Sequence, residues 1–542
     1  MTPLTTHVPM TERTITAAFD HQVRARPDKL ALIDDDGSSA TYAQARDLAG
    51  RIASGLHALG VQRQEPVLVL LDNHVDYALT WLGLGLGAMV HVPVNTAYKG
   101  EMLRYVVRHS GARVVIADAA YAERIAEVIR ETPTITTVVV RGSSTAELPD
   151  TVTRVAFDAL LRAEPGDPWP TTASDIASIL YTSGTTGPSK GVLCPHGQAF
   201  AASFSPETHT DSVALVALPL FHGTGLWTGI FRTLRCGATA VIMAGFSVAG
   251  FWEQVRRHRC TTTVLVGGMA EFLNSQPPGA GDRDHSLETV IILPCPGDPD
   301  AWQERFGVQV SSGYGATEIG IGATTRLGEA QASGCGTPRP NLDMRVVDEN
   351  DEEVDVGVGG ELVVRALEPW TMMLGYHDMP EETLRAFRNL WFHSGDLVYR
   401  DEIGRLVFVD RKKDAIRRRG ENVSSFEVEA QLLSVAGVAE AAVVPVAGEF
   451  ADDEIKAVLV LEPGVDFRPE AILADLYERM PHFMVPRYYE AVAALPYTPT
   501  HKVRKSELRA EGVTVDTWDC EQAGYRITRR ALVAPAQPVV TP

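Results

Sequence analysis

From residue 13 to residue 135, amphipathic stretches alternate with short apolar runs. The pattern predicts a helix over 42–59 and strands over 66–71 and 113–117. Residues 77–98 form the longest stretch without a charge. Gly83, Gly85, Gly87 and Pro93 interrupt it, and His91 and Asn95 lie within it. It therefore reads as a buried helix over 77–86 running into a strand over 89–94, and not as a membrane span. Residues 142–170 read as an irregular polar connection.

The alternation then resumes, with strands expected over 176–181, 212–218, 239–243, 262–266, 289–293 and 308–311 and helical segments between most of them. This is the rhythm of parallel sheets with helices on their faces. After Asn341 the period shortens to strands over 344–348, 360–364, 397–400 and 406–410, a smaller β-rich subdomain. A charged break over 411–419 follows. Beyond it come a helix from about 424 to 433, strands over 438–446 and 455–461, and a helix over 469–480. The expected fold class is α/β. A large N-terminal domain of parallel and mixed sheets with flanking helices (13–412) is followed by a small, mobile α+β domain (413–513). Residues 1–12 and 514–542 read as tails, the second ending in a Pro/Val/Ala-rich run.

Composition narrows the function. The chain has 542 residues, 45% hydrophobic and 22% charged, which suits an ordinary folded protein with more than one core. A formal net charge of −20 repels phosphate backbones and anionic lipid, so no nucleic acid and no membrane partner is expected for the bulk surface. Cys194, Cys236, Cys260, Cys295, Cys335 and Cys520 form no CxxC pair and no zinc spacing, which predicts reduced thiols in a cytoplasmic protein. The first twelve residues hold no basic segment followed by an apolar one, so no signal peptide is expected.

The strongest chemical signal is Tyr181-Thr-Ser-Gly-Thr-Thr-Gly-Pro-Ser-Lys-Gly191. Its glycines let backbone N–H groups approach a ligand, its hydroxyls add donors, and Lys190 adds positive charge, so it reads as a nest for phosphate oxygens. A Walker A loop is excluded, because Ser189 precedes Lys190 and Gly191 follows it. Gly187-Pro-Ser-Lys-Gly191 also fits the GxSxG nucleophile elbow, with Asp396 and His501 downstream in triad order. The polar run between the strand and Ser189 weighs against that reading, and a serine esterase using Ser189 stays as a distant alternative.

The same loop resembles the phosphate-binding signature of the adenylate-forming superfamily, which includes acyl-CoA synthetases, peptide-synthetase adenylation domains and firefly-type luciferases. Five further motifs follow in family order. Ser312-Gly-Tyr-Gly-Ala-Thr-Glu318 resembles the second nucleotide motif, and Trp391-Phe-His-Ser-Gly-Asp396 the ribose motif. Val409-Asp-Arg-Lys-Lys-Asp414 resembles the hinge, Gly420-Glu-Asn-Val-Ser424 the thioester-forming loop, and Pro496-Tyr-Thr-Pro-Thr-His-Lys502 the catalytic-lysine motif. Pro93-Val-Asn-Thr96 extends the likeness towards the N-terminus.

The resemblance implies ATP-dependent activation of a carboxylic acid to an acyl-adenylate, then transfer to coenzyme A. The chemistry is coherent. A carboxylate is a poor acyl donor until AMP becomes its leaving group, and joining two anions needs positive charge and dipoles where charge develops. Thr182, Ser183, Gly184, Thr185, Thr186 and Gly187 would wrap the β- and γ-phosphates, with Lys190 nearby. Gly313, Tyr314, Gly315, Ala316, Asp396, Phe408 and Arg411 would bind ATP or AMP, Tyr314 on the adenine face and Asp396 on the ribose hydroxyls. Thr317 would contact the α-phosphate, and Glu318 with Thr185 would hold Mg2+. Lys502 would be the catalytic lysine and Lys413 the hinge, and Arg419, Gly420, Glu421, Asn422 and Ser424 would line the pantetheine channel. Three departures stand out: His501 and Asp410 where the family favours Gly, and a stiff Leu293-Pro-Cys-Pro-Gly297 where a small-residue turn usually lines the adenine.

The thioester-loop region and Asp516-Thr-Trp-Asp519 resemble the crotonobetaine/carnitine-CoA ligase-like branch. By family position the acyl pocket draws on Phe221, His222, Gly223, Gly225, Gly267, Gly268, Met269, Ala316, Ile319 and Gly320. That small, apolar lining implies a hydrophobic, bulky acid over an amino acid. Arg411, Lys412, Lys413, Arg417, Arg418 and Arg419 read as a cationic face for polyanionic coenzyme A. A free-standing adenylation enzyme that loads a carrier protein is the alternative, and a homodimer is left open.

Overall fold

The computed structural model describes residues 8–182, 189–205, 207–293, 295, 298–331, 334–411, 415–419, 421–448, 452–496, 503 and 505–535. As far as they are described, Met1–Thr96, Val106–Tyr181 and Lys190–Lys412 form one compact unit, and Ala97–Tyr105, Thr182–Ser189 and Lys413–Pro542 the other.

Among its described residues, the first unit contains two sheets. The seven-stranded one runs Thr153–Ala156, Thr137–Arg141, Val114–Asp118, Pro66–Leu70, Val90–Pro93, Ile176–Thr182 and Lys190–Pro195 from edge to edge. Its first six strands pair in parallel. Strands such as Val114–Asp118 are buried throughout, as expected where helices cover both faces. The uncharged stretch folds as a helix, Val75–Leu86, and a strand, Val90–Pro93. The helix Tyr42–Ala58 starts at a capping box, with the Thr41 hydroxyl accepting from Gln44 N–H and the Gln44 side chain accepting from Thr41 N–H. Ala45, Ala49, Ile52 and Leu56 then recur on its buried face. The connection expected to be irregular carries the strand Thr153–Ala156 and the helix Phe157–Leu161. The strand lies at the sheet edge and is mostly exposed, so it left no apolar signature.

The second sheet of this unit has fourteen strands among the described residues and changes character across its width. Leu30–Asp34, Thr239–Ile242, Val213–Val216, Thr262–Val266, Thr289–Leu293 and the start of Gln309–Ala316 pair in parallel. Residues 313–316 of that last strand instead pair antiparallel with Gly320–Thr324. Gly334–Pro338, Leu406–Arg411, Trp391–Arg400, Gly360–Ala366 and Leu342–Val347 continue antiparallel. The strand expected to stop at 311 thus runs five residues further, to Ala316. Gly313 and Gly315 are the reason: a Cβ on either would lie 2.5 Å from a carbonyl oxygen, of Ala323 and Gly320 respectively. Only glycine allows the two strands to close at that point.

The second unit is built on Val438–Ala447 and Asp453–Leu461, paired antiparallel, with Tyr488–Ala491 parallel to the latter. Helices Ser425–Leu433 and Pro469–Arg479 press Val428, Leu432, Leu473 and Leu476 into a core shared with Val443, Ala457 and Tyr489. The segment expected as a tail adds a strand, Trp518–Asp519, beside Tyr488–Ala491, and Cys520 is fully buried. Arg487 fixes it through ion pairs of 2.9 Å to Asp519 and 2.9 Å to Glu521. The charged break also folds, because Ala415–Arg418 pairs with Glu421–Ser424. Ile416 and Arg418 point inward there and Arg417 outward, a two-residue period hidden by the charges. Among the described residues no helix is long and apolar enough to cross a membrane.

Candidate active site

The strand Gln309–Ala316 is the spine of the site. Tyr314 projects from its antiparallel half, and Tyr314 Oη donates to Asp396 Oδ2 at 2.5 Å. Asp396 follows Gly395, whose φ of 73° turns the chain in a way other residues resist. Ser394 Oγ accepts from Asp396 N–H at 3.1 Å, and Glu361 Oε1 accepts from Gly395 N–H at 3.2 Å, so the turn is held from two sides. Asp396 is opposite Arg411 in the register, and Phe408 is opposite Val398. Burial and the Asp396 carboxylate push the nearby Cys335 thiol up to about 12, which keeps it neutral.

A second group forms around the turn between Ala316 and Gly320. Tyr376 Oη donates to Glu318 Oε1 at 3.0 Å, and Lys190 Nζ lies 4.9 Å from the centre of the Tyr376 ring. Lys190 Nζ is also 2.6 Å from Glu382 Oε2, and this contact holds Glu382 below the usual carboxylate range. Burial and then Glu318 drive the Tyr376 phenol well above its ordinary value, so it acts as a neutral donor. Tyr376 is placed by backbone bonds from Leu193 N–H to Gly375 O (2.9 Å) and from His377 N–H to Gly191 O (2.7 Å). Gln198 Nε2 donates to Thr317 O at 2.8 Å and Met373 N–H to Glu318 O at 2.8 Å. Tyr376 and Glu382 were not among the expected site residues. The one trace of Tyr376 in the sequence is an aromatic residue directly after Gly375, outside every motif above.

The expected acyl-pocket residues divide. The Phe221 and His222 rings stand 4.7 Å apart. Thr224–Phe231 follows as a wide π-helical segment, with Gly225 so close to Pro219 that a Cβ would lie 2.2 Å from its carbonyl oxygen. Gly223 packs on Leu180 and Trp227. Phe221, Ala316 and Ile319 share one core cluster with Trp227, and Gly320 adopts a φ of 67° against Ala202. Gly267 and Gly268 open the helix Gly267–Asn274, and Met269 packs on a different cluster, with Trp302 and Phe306. The structure thus groups 221–225 with 316–320, and Met269 elsewhere.

In the second unit, the expected cationic face needs a correction. Arg418 is an internal residue, 1% exposed, donating to Val485 O at 2.5 Å and Phe483 O at 3.3 Å and pairing with Glu454 at 2.6 Å. Burial lowers its guanidinium from the ordinary value, and it is unavailable to coenzyme A. Arg419 adopts a φ of 54°, its N–H bonded to Asp452 Oδ2 at 2.8 Å. Glu421, Asn422 and Ser424 lie on the strand Glu421–Ser424. Thr182 ends the strand Ile176–Thr182. Ser183, Gly184, Thr185, Thr186, Gly187, Pro294, Pro296, Lys412, Lys413, Gly420, His501 and Lys502 lie outside the described residues. For the esterase alternative, Ser189 Oγ donates to Glu427 Oε1 at 2.6 Å, so the hydroxyl is turned to a carboxylate.

Glu318 is the residue that could hold a divalent ion here. Its carboxylate is a hard oxygen donor of the kind Mg2+ takes, one or two at a time, alongside phosphate oxygens and water. The other group of metal-capable side chains among the described residues is Asp34, Asp36 and His74.

Comparison with known proteins gives the family. The family described as AMP-binding enzyme matches residues 19–377, and the AMP-binding enzyme C-terminal domain matches 427–502. The chain is 30% identical to a crotonobetaine/carnitine–CoA ligase of Salmonella arizonae over 502 residues, 89% of this chain and 96% of the relative. It is 29% identical to the enzyme of that name from Citrobacter koseri, over 91% of this chain and 98% of the relative. Among solved structures, it is similar to a benzoate CoA ligase from Burkholderia xenovorans (TM-score 0.68, 26% identity, 92% and 99% of the two chains). It shares the fold of the o-succinylbenzoate CoA synthetase of Bacillus subtilis (TM-score 0.79, 24% identity, 91% and 98% of the two chains). With its glycine-rich strand, its Tyr314–Asp396 pair and both family patterns in order along one chain, this protein belongs to the AMP-binding enzyme family.

Proposed function

We propose that the chain activates a carboxylic acid with ATP, releasing pyrophosphate, and then transfers the acyl group from AMP to coenzyme A. The observation that carries this reading is the Tyr314–Asp396 bond at the end of the strand Gln309–Ala316. It brings together a carboxylate and an aromatic side chain, the groups that would take the ribose hydroxyls and the base of a nucleoside. Gly313, Gly315, Ala316, Phe408 and Arg411 complete this nucleotide site, and Thr317 takes the α-phosphate. Thr182 to Gly187 and Lys190 take the outer phosphates. Mg2+ held by Glu318, with Thr185, would neutralise phosphate charge as the carboxylate attacks. Tyr376 orients Glu318 for that task.

The division at 412/413 with Lys413 as hinge, the catalytic role of Lys502 and the pantetheine role of Arg419 to Ser424 belong to the same reading. The substrate is a hydrophobic, bulky acid, supported by the uncharged grouping of Phe221, Gly223, Ala316 and Ile319. Coenzyme A is the acceptor, in line with the names of the relatives; a carrier protein is the alternative acceptor, and a homodimer the alternative to a monomer. The six free thiols support a reducing, cytoplasmic setting.

The decisive experiment is ATP–pyrophosphate exchange across aliphatic, aromatic, betaine and polycyclic acids. The proposal expects exchange with at least one hydrophobic acid, and then consumption of coenzyme A with that acid. No exchange with any acid would sink it and leave the esterase; exchange without coenzyme A consumption would favour carrier-protein loading.

A further inference from the structure

Ser189 closes the phosphate loop, and in the second unit it is clamped through all of its polar groups. Its hydroxyl donates to Glu427 Oε1 at 2.6 Å, its backbone N–H bonds the same carboxylate, and its carbonyl accepts from Tyr105 Oη at 2.9 Å. Ser189 is 5% exposed, so these bonds are shielded from water. Glu427 lies in the first turn of the helix Ser425–Leu433, which begins directly after the strand Glu421–Ser424. The same helix holds Lys505, whose Nζ donates to Ser425 Oγ at 2.7 Å and pairs with Glu429 Oε1 at 2.6 Å. One short helix therefore fixes the end of the phosphate loop, the pantetheine strand and a residue three beyond Lys502.

The clamp sets a condition on the phosphate loop. The Ser189 N–H and O–H that Glu427 holds are donors of the kind a phosphate oxygen would use. A buried carboxylate and a polyphosphate sharing those donors would be two anions in one place, with little solvent to screen them. The clamp and a triphosphate bound through those donors therefore exclude each other. We infer that Glu427 is a positioning residue of the second half-reaction: it takes over the end of the loop once pyrophosphate has left, and so holds the pantetheine strand in place for acyl transfer. This rests on the reading of the preceding subsection.

Two half-reactions separate the inference from that reading, each measured with the full chain. They are ATP–pyrophosphate exchange with the best acid, and single-turnover transfer from supplied acyl-adenylate to coenzyme A. Glu427→Ala is expected to slow transfer about tenfold or more, the effect of losing charge-assisted hydrogen bonds, with exchange kept within about twofold. Glu427→Gln keeps the shape and one acceptor oxygen and should recover part of the transfer rate, a rescue that guards against simple misfolding. Tyr105→Phe should weaken the clamp in the same direction by a smaller factor. Exchange that falls as much as transfer, or transfer left unchanged in Glu427→Ala, overturns the inference while leaving the ligase reading standing. No exchange in the unaltered protein removes both.

Discussion

Tyr314 Oη and Asp396 Oδ2 lie 2.5 Å apart although three strands stand between their own strands in the sheet order. Four strand spacings of about 4.8 Å would put them about 19 Å apart in a flat sheet. The antiparallel end of the sheet must therefore curl back on itself, and the tyrosine hydroxyl closes the curl. The inside of that bend is where the proposed nucleotide site lies.

Asp396→Asn is expected to raise KM for ATP by about 10- to 100-fold, since hydrogen bonds to a charged acceptor contribute about 1.5–3 kcal/mol. Tyr314→Phe removes one donor and should cost about fivefold. Steady-state kinetics against ATP concentration checks both; a tyrosine effect larger than the aspartate effect would argue that the pair is purely structural.

Glu318→Gln should lower adenylate formation by at least about 100-fold if the carboxylate holds the metal. Tyr376→Phe leaves the carboxylate in place but unoriented, so a milder loss with a higher Mg2+ requirement is expected. Exchange rates titrated with Mg2+ distinguish the two; an unchanged Mg2+ midpoint in Tyr376→Phe would contradict the orienting role.

Lys190 enters the site already paired with Glu382, at 2.6 Å. Lys190→Ala should raise KM for ATP about tenfold, the scale of a single ion contact with phosphate. Glu382→Gln frees the ammonium, and KM for ATP should fall. Unchanged ATP kinetics in both variants would move Lys190 out of the phosphate site.

Lys502→Ala should abolish adenylate formation yet still transfer acyl from supplied acyl-adenylate to coenzyme A. Equal loss of both half-reactions would rule out a lysine that serves only the first.

Acid should weaken the first unit through two histidines. Burial pushes His91 down to about 3 and His196 down to about 4. His91 lies between Tyr77 Oη (3.3 Å) and Ser178 Oγ (3.4 Å), and His196 Nδ1 accepts from Ile15 N–H at 3.3 Å, all suited to neutral rings. Their unfolded value is about 6.5, so their contribution is complete above that pH and is lost as pH falls towards the folded values. The slope approaches about 1.4 kcal/mol per pH unit for each. In the second unit Glu427, raised by burial to about 7, works the opposite way and gains from protonation. Thermal midpoints between pH 7.5 and 4.5 should fall, and His91→Gln should flatten the fall; a flat profile in the unaltered protein would show that these rings are not held neutral.

The alternation of apolar strands and helices was legible because burial on both faces writes uninterrupted runs such as Val114–Asp118. Thr153–Ala156 was not, because an exposed edge strand has no apolar face to read. The glycine-rich half of Gln309–Ala316 was legible as a motif but not as a strand, since its glycines answer to a neighbouring carbonyl oxygen and not to a pattern. Arg418 misled in the other direction: a cation inside a cationic run looks like surface until its buried carbonyl partners are seen. Tyr376, Glu382 and Glu427 acquire their partners only through long-range packing, 58, 192 and 238 residues away in sequence.

Ala316 and Ile319 flank Thr317 and Glu318 on one tight turn, with Ile319 N–H bonded to Ala316 O at 3.1 Å. On the proposed assignment, any remodelling of the acid's seat through these two positions would drag the metal and phosphate ligands with it and lower the catalytic rate. Phe221 and Gly223 belong to the same apolar grouping but lie outside that turn. New acid preferences should therefore be reached first from the Phe221 side, and libraries aimed at changing the substrate would do well to begin there.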